Sequence, residues 1–552
     1  MAKKKTFTLK ADKTRPWFYT ARYPFHKELK DTLKQYPGVQ WDPSRKTWLI
    51  PQELQETAIT TAESFGFAIE VVQPTFTARA VNDETLHDYQ HDGVRYALAY
   101  DPPRHIFGDE MGLGKTAQAI RALEAMDANK VLIVCPAVVR SNWVSELDKW
   151  WENHYEVGII NANPNRTSLS KKERKRLTEA YHANIQIISY NLLEHVKCEI
   201  YEAIIFDEIH RLQSPSTSWS EVARHIVLNN PKAAVFGLTG TIMPNQPTNA
   251  WNPVHTIWPD RMGKMQKNGN GCYSFKQRYT NPVHNGYGWD YSGVNTVHAE
   301  ELNNRLSSMI TRTTKVDVAH LLPPFTVTYL SVEPKSKTNY SAFLEKGDFR
   351  SHKEKISSAL MMAGNEKIPH VMEWLEGAVE EASHVCIMTH LRATAKEIAD
   401  KAQKFNVPVY CITGALTPEK RNEVLAEAKD REGAIVVATM HSVGIGIDLT
   451  FCTVALFAEL YYRPETVVQA LGRFSRLSGT VPSSVTVLSL SGTLDELIAD
   501  KLRIKIEAIN AAIKAGDSES RLEEVLTSSE TEEEFLLSLT SAADSMVEDP
   551  YN

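Results

Sequence analysis

The 552-residue sequence predicts an α/β fold, with two consecutive parallel-sheet domains behind a small α+β module. Two observations carry this reading. Short apolar runs rich in Val and Ile recur between helical patterns in two separate sets, and strands buried on both faces need such runs. The first 72 or so residues follow another rhythm, being basic and dense in aromatic side chains. The expected boundaries are a module at 1–72, a first large domain at 73–330, a second at 331–515 and an acidic tail at 516–552.

In the module, Trp17, Phe18, Tyr19, Tyr23, Phe25, Trp41 and Trp48 fall among Lys27, Lys30, Lys34, Arg45 and Lys46. An amphipathic helix is expected near 26–35, followed by two short strands around the Pro-Ser turn between Trp41 and Trp48. Aromatics among cations suit base stacking and phosphate neutralisation. They equally suit the core of a small domain. The stretch from Val72 to Arg79 reads as a linker.

The first large domain follows, with buried strands expected at Val131–Cys135, Ile185–Ile188, Ala203–Phe206 and Ala234–Leu238. Residues 262–296, rich in Gly, Asn, His and Tyr, read as an irregular insertion. The second set comprises Val385–Met388, Ala434–Ala438, Val454–Phe457 and Val485–Leu490. From 517 onward helical periodicity is weak and negative charge heavy.

Composition narrows the classes. Hydrophobic residues make up 42% and charged residues 23%, an ordinary globular balance. No run approaches the roughly 18–20 apolar residues of a membrane span, and no apolar stretch follows the charged start as in a signal peptide. Six cysteines without a CxxC pair argue against a disulfide scaffold or a cysteine-built zinc site, so a reducing cytoplasm is expected. The net charge of −7 hides an asymmetry. From Asp517 there are 11 acidic residues and one basic, a balance of −10, which leaves +3 elsewhere; the first 50 residues carry 12 basic and 4 acidic, or +8. A basic front suits phosphate.

Chemistry gathers at the ends of the expected strands. Asp109-Glu-Met-Gly-Leu-Gly-Lys-Thr116 follows a strand at His105–Phe107 and opens a helix at Ala117–Met126. Gly112 and Gly114 let backbone N–H groups approach a triphosphate, Lys115 reaches the β/γ-phosphates and the Thr116 hydroxyl binds Mg²⁺. Asp109 stands where GxxxxGK[ST] has its first Gly. Asp207-Glu208-Ile-His210 follows the strand Ala203–Phe206, and adjacent carboxylates after a buried strand are costly unless they serve a metal or a base. Asp207 is the expected Mg²⁺ holder and Glu208 the group that polarises the attacking water. Arg473 and Arg476, three apart, share a face if helical and suit the stabilisation of charge on a transferred phosphoryl group. Lys171-Lys-Glu-Arg-Lys-Arg176, including Lys171 and Lys172, is a candidate phosphate patch or a solvated helix face.

These residues give the chain a resemblance to the superfamily 2 helicase-like ATPases, and within them to the Snf2 branch of duplex-DNA translocases. The resemblance covers residues 80–500 and implies two tandem RecA-like domains forming a helicase core. Leu86 to Val94 is similar to the LRxYQxxGV segment, which implies an adenine-recognising role for Gln90 beside the ATP-binding loop Asp109, Glu110, Met111, Gly112, Leu113, Gly114, Lys115 and Thr116. Val134-Cys-Pro136 with Trp143, and Ser189-Tyr190-Asn191, resemble DNA-facing segments. Leu238-Thr-Gly-Thr241 resembles motif III, so Thr239, Gly240 and Thr241, with His210, are implied to couple hydrolysis to domain movement; Ile242 replaces the usual Pro. Thr413-Gly414 with Arg421 resembles the extension of motif IV. Ser442 to Leu449, with Gly446 and Asp448, resembles motif V. Gln469-Ala-Leu-Gly-Arg-Phe-Ser-Arg476 resembles motif VI and departs from the branch's usual QAxDRxHRxGQ. The stretch Ile310–Pro324 matches the end of the first lobe.

Within that branch, the segments Tyr287–Gly293, Glu301-Leu302, Ala458-Glu-Leu460 and Gly364–Ile368 look like the annealing-helicase subfamily, whose HARP domains precede the motor. Tyr36–Pro51 is similar to such a domain. The resemblance implies ATP and Mg²⁺ as cofactors and duplex, forked or branched DNA as partner, with strand annealing and branch migration as activities. A remodeller that displaces proteins from duplex DNA, and a DNA-binding module with a degenerate ATPase, are the alternatives. Compact size points to a bacterial or viral cytoplasmic protein.

Overall fold

The computed structural model describes residues 5–503 except 13–14, 16, 73–84, 153, 165–167, 197–198, 241, 243–245, 268, 270, 285–287, 292, 316, 336–351, 444–446, 462–463 and 501. The expected linker and acidic tail, with Thr241 and Gly446, lie outside the described residues. The chain forms two compact units, one of Met1–Glu110 and Gly114–Thr313, the other of Met111–Leu113 and the chain from Thr314.

The first unit opens with the small module. Its strands β1 (Thr6–Ala11), β2 (Phe18–Arg22), β3 (Gln40–Asp42), β4 (Thr47–Pro51) and β5 (Ala68–Val72) make one sheet in the order β3-β4-β2-β1-β5. All pairs are antiparallel except β1 with β5. Helices Lys27–Leu33 and Gln55–Ser64 bury Leu29, Leu33, Ala58 and Ala62 in a core with Phe7, Leu9 and Tyr19. The expected turn is built by Asp42, whose carboxylate accepts from the Ser44 and Arg45 backbones. Most of the aromatics are core: Trp17, Phe18 and Tyr19 are buried, whereas Phe25 and Trp41 stay exposed.

Behind it stands a seven-stranded, all-parallel sheet of β6 (Arg104–Phe107), β7 (Val131–Cys135), β8 (Val157–Ile160), β9 (Ile185–Ser189), β10 (Ala203–Asp207), β11 (Ala234–Leu238) and β14 (Ile310–Thr311). The order is β14-β6-β11-β10-β7-β9-β8. Residues 262–296 are less irregular than their composition suggests. They hold helix Tyr273–Tyr279 and a two-stranded ribbon of β12 (Val283–His284) and β13 (Trp289–Asp290).

The module is fastened to this domain. Trp17, Phe18 and Leu49 share a core cluster with Trp258, Met262 and Met309. The Arg104 guanidinium lies over the Trp17 ring at 5.1 Å, and that of Arg278 over Tyr36 at 4.4 Å. Glu53, 2% exposed, accepts from Arg261 Nε at 2.8 Å and from Arg305 Nη2 at 2.9 Å.

The second unit has a six-stranded parallel sheet of β15 (Phe325–Val332), β16 (His384–Thr389), β17 (Val409–Ile412), β18 (Ala434–Thr439), β19 (Val454–Phe457) and β20 (Ser483–Leu490). The order is β15-β20-β19-β16-β18-β17. Because β15 pairs with β20 along its whole length, the second sheet begins ahead of the expected boundary at 330. Two parallel α/β sheets in tandem, each with helices between its strands, are the RecA-like arrangement. Glu459, 3% exposed, accepts from the His390 and Leu391 backbones and from Thr394 Oγ1, so it caps helix Arg392–Ala402 from outside. A Cβ on Gly364 would collide with that carboxylate, which explains glycine there. No helix among the described residues is long and apolar enough to cross a membrane.

Candidate active site

Strands β6, β11 and β10 are parallel neighbours, and their register places Phe107, Leu238 and Asp207 in one row. Their C-terminal ends therefore open side by side, where ligands bind in sheets of this kind. Each carries one of the expected segments.

After β6 the chain turns through Gly112 (φ +88) and Gly114 (φ +79). Both lie in the left-handed region, which is nearly free for glycine alone. Gly114 is the N-cap of helix Lys115–Ala125, so the helix N-terminus and its unpaired N–H groups face the loop. A Cβ on Gly114 would strike the Gln90 amide, so Gln90 packs directly on the phosphate-loop backbone. The Gln90 carbonyl oxygen in turn accepts from His87 N at 2.9 Å. Lys115 Nζ donates to the Asp109 and Glu110 carbonyls at 2.6 and 3.1 Å. Burial pulls the Lys115 ammonium down, against the nearby carboxylates of Glu208, Asp109 and Asp207.

Asp109 has another task than expected. Its carboxylate is 1% exposed and accepts from Gln118 Nε2 at 2.6 Å and from Thr313 N at 2.8 Å. Both oxygens are engaged, so this side chain braces the loop from behind and does not face a phosphate. Burial pushes its pKa up.

After β10, Asp207 is pushed up to about 7 by burial and then by the adjacent Glu208, against a hydrogen bond from Trp143 and the Lys115 charge. Two carboxylates forced together beside one ammonium are a donor set that favours a further cation. Glu208 sits at φ +54, an uncommon value for a side-chain-bearing residue, and Glu208 Oε2 is 3.2 Å from His210 Nδ1. The same nitrogen is 3.0 Å from Thr239 Oγ1, at the end of β11. Glu208, His210 and Thr239 thus form a connected row. Arg312 Nη1 reaches the Gly240 carbonyl at 3.4 Å.

The expected DNA contacts divide. Trp143 is 1% exposed and donates through Nε1 to Asp207 Oδ2 at 2.9 Å. Tyr190, also buried, donates to the Asp207 carbonyl at 2.8 Å. Ser189 is buried at the end of β9. Trp143 and Tyr190 are corrected from DNA contacts to parts of the wall behind Asp207, and Ser189 to a buried residue at a strand end. The apolar rings of Trp143 and Tyr190 make them core, and the polar edge of each is turned to Asp207. Asn191, Lys171 and Lys172 are exposed. The lysines open helix Lys171–His182, which Ser170 and Glu173 cap reciprocally.

In the second unit, helix Pro464–Leu471 carries Gln469 and ends before Arg473 and Arg476. The two arginines lie in the following turns and not on one helical face, because Leu449 N donates to the Arg473 carbonyl and fixes the chain there. Asp448 accepts from Ser478 Oγ at 2.7 Å and from Thr450 N at 2.9 Å. Burial pushes Asp448 up, but these bonds and the Arg476 charge hold it below its usual value.

Sequence reasoning missed Gln118, Thr313 and Glu53. The first two brace Asp109 from sites 9 and 204 residues away, and nothing in their local sequence marks them.

The SNF2-related domain matches residues 89–386, more than half of the chain, and the helicase conserved C-terminal domain matches 366–478. The chain is 24% identical over 538 residues to the SWI/SNF-related matrix-associated actin-dependent regulator of chromatin subfamily A-like protein 1 of Xenopus laevis, covering 94% of this chain and 52% of that protein. It is 25% identical over 545 residues to the Caenorhabditis elegans homolog, covering 90% and 74%. It is 24% identical over 458 residues to the DNA annealing helicase and endonuclease ZRANB3 of Bos taurus, covering 80% and 41%. The chain thus spans about half the length of most of these relatives. The Sulfolobus solfataricus SWI2/SNF2 ATPase core in complex with dsDNA aligns with a TM-score of 0.36 and 21% identity, over 82% of this chain and 98% of that one. With a domain match over residues 89–386, more than half of its length, the chain belongs to the SNF2-related family.

Proposed function

We propose that the chain is a DNA-dependent ATPase that translocates on DNA and acts on branched or forked substrates, with strand annealing and branch migration as its outcomes. The observation that carries this reading is the cluster of Lys115, Asp207 and Glu208 at the ends of adjacent parallel strands, with Glu208 linked through His210 to Thr239. The relatives named as annealing helicases support the choice of substrate.

ATP and Mg²⁺ fit the residues present. The glycines at 112 and 114 give the loop its left-handed turns at a helix N-terminus, and the crowded carboxylates want a cation. Thr116 and Asp207 would hold Mg²⁺, which would supply positive charge against that of the phosphates. Lys115 would exchange its two carbonyl partners for phosphate oxygens. Glu208 orients the attacking water, and His210 passes its position to Thr239. Gln90 recognises adenine, and Arg473 and Arg476 stabilise charge on the transferred phosphoryl group. Asp448 and Gln469 support the coupling.

DNA contacts are assigned to the exposed Asn191, Lys171 and Lys172, and fork preference to the module at 1–72. Phosphate contacts dominate in a motor that must tolerate every sequence, so binding weakens steeply with salt. The test is phosphate release without DNA and with single strands, blunt duplex or a forked duplex, using Lys115→Ala as control. Strongest stimulation by the fork, lost in Lys115→Ala, is the expected result. Phosphate release that ignores DNA would refute the assignment.

A further inference from the structure

The insertion at 262–296 takes no part in the phosphate chemistry, yet it packs against the segments that follow both hydrolytic loops. Helix Tyr273–Tyr279 and strand β13 enclose a cavity of about 290 Å³. Its other walls are Gln213–Pro215, just after the 3₁₀ turn that follows Glu208, and Gln246 with Asn249, opening helix Pro247–Ile257 a few residues beyond Thr239. An adjoining hollow of about 470 Å³ shares Pro215, Lys276 and Tyr291 and adds Tyr273 and Trp289. Together they fall in the range of roughly 300–1,000 Å³ usual for ligand sites.

The lining is specific. Trp289 is 60% exposed and Tyr273 55%, so two large flat side chains stand in water at one hollow. His284 packs edge-on against the Trp289 ring at 5.3 Å and fixes its plane. The Lys276 ammonium lies 5.1 Å from the centre of the half-buried Tyr291 ring. Asp290 adds one carboxylate to the wall. Aromatic faces beside a cation match a ligand with a flat π face next to an anion, which describes a nucleotide. Paired bases hide their faces in the stack, so only an unpaired base presents one.

We propose that this hollow binds single-stranded DNA, with an unpaired base against Trp289 and Tyr273 and its phosphate at Lys276. The Asp290 carboxylate repels phosphate and accepts from exocyclic amines, so it orients the base inward. Because the walls are the segments just after Glu208 and Thr239, an occupied hollow stiffens the parts that must move with hydrolysis. The inference deepens the DNA reading above and rests on it.

The test uses the full chain and a fluorescent single-stranded oligonucleotide of about 12 nucleotides. Trp289→Ala and Lys276→Ala are each expected to weaken its binding about tenfold, Trp289→Phe to bind as the unaltered chain does, and all three to keep hydrolysis stimulated by blunt duplex. Unchanged single-strand binding by Trp289→Ala overturns the proposal. Independently, an oligonucleotide carrying 5-iododeoxyuridine is expected to crosslink the unaltered protein within 273–291. Crosslinks confined to other peptides overturn the proposal even if a variant fails to fold. Absence of duplex-stimulated hydrolysis in the unaltered chain would instead strike the broader DNA reading, while the crosslink still reports on the hollow.

Discussion

Glu53 Oε1 accepts from both Nη2 and Nε of Arg305, at 2.9 and 3.2 Å, across 252 residues of sequence and with both side chains 2% exposed. Arg261 closes the cluster on the other carboxylate oxygen. This is the joint between the N-terminal module and the first large sheet.

Removing the carboxylate strands two buried guanidiniums. Glu53→Ala is therefore expected to lose roughly 3–5 kcal/mol of stability in this unit, read as a lower melting temperature and faster proteolysis near the module. Burial pushes the Glu53 carboxyl up, but Arg261 and Arg305 outweigh it and hold it below its ordinary 4.5. The stabilisation is thus complete above that value and disappears as pH falls through the lower folded value. An acid-unfolding midpoint unchanged in Glu53→Ala would contradict this.

Asp207 behaves in the opposite sense. Its folded pKa of about 7 exceeds its ordinary 3.8, so the metal-free protein loses stability as pH rises between those values and is level above them. Melting temperatures of the metal-free protein from about pH 5 to about pH 8 are expected to fall, with Mg²⁺ restoring stability at the upper end. Asp207→Asn should flatten that part of the curve and abolish the Mg²⁺ response.

Trp143 offers a test of the correction from DNA contact to carboxylate support. Trp143→Phe keeps the ring and deletes the donor to Asp207 Oδ2, a loss of about 1.5–3 kcal/mol for a bond to a charged group. The pH at which hydrolysis is half-maximal is expected to move upward while affinity for duplex DNA stays constant. A drop in DNA affinity at unchanged pH profile would restore the surface role.

For the row Glu208–His210–Thr239, His210→Ala is expected to lower DNA-stimulated kcat roughly 10- to 100-fold, by analogy with the loss of orienting neighbours at metal sites. The KM for ATP should change little, since His210 touches Glu208 and Thr239 and not the loop proposed to hold phosphate. A rise in KM with kcat intact would place His210 in binding.

What the sequence revealed depended on how local each determinant is. Runs such as Val131–Cys135 and Ala434–Ala438 announce strands buried on both faces, and both are fully buried. Strand β15 escaped because Phe-Thr-Val-Thr-Tyr alternates, as an edge strand with one face toward solvent must. Lys115 and Asp207 were legible from short contiguous signals. Trp143, 64 residues from the carboxylate it supports, was not, and neither was Glu53, whose partners exist only once the module docks. Arg473 and Arg476 were singled out by their spacing, but the end of helix Pro464–Leu471 was hidden because Gly472 alone does not mark it.

The short strand β14 has a mechanical meaning. Its segment holds the phosphate loop by three hydrogen bonds, Gly108 N to Thr311 O at 2.7 Å, Glu110 N to Thr313 O at 2.9 Å, and Thr313 N to Asp109 Oδ1 at 2.8 Å. The next residue, Thr314, already belongs to the second unit. Tension applied to the chain at that crossing travels straight into the loop that would grip the nucleotide, bypassing the hydrophobic core. The crossing from Thr313 to Thr314 is therefore wired to that loop, so a pull on the chain there tugs first on Asp109. A motor of the kind proposed above would stall under an opposing force by losing its hold on the nucleotide before any domain unfolds.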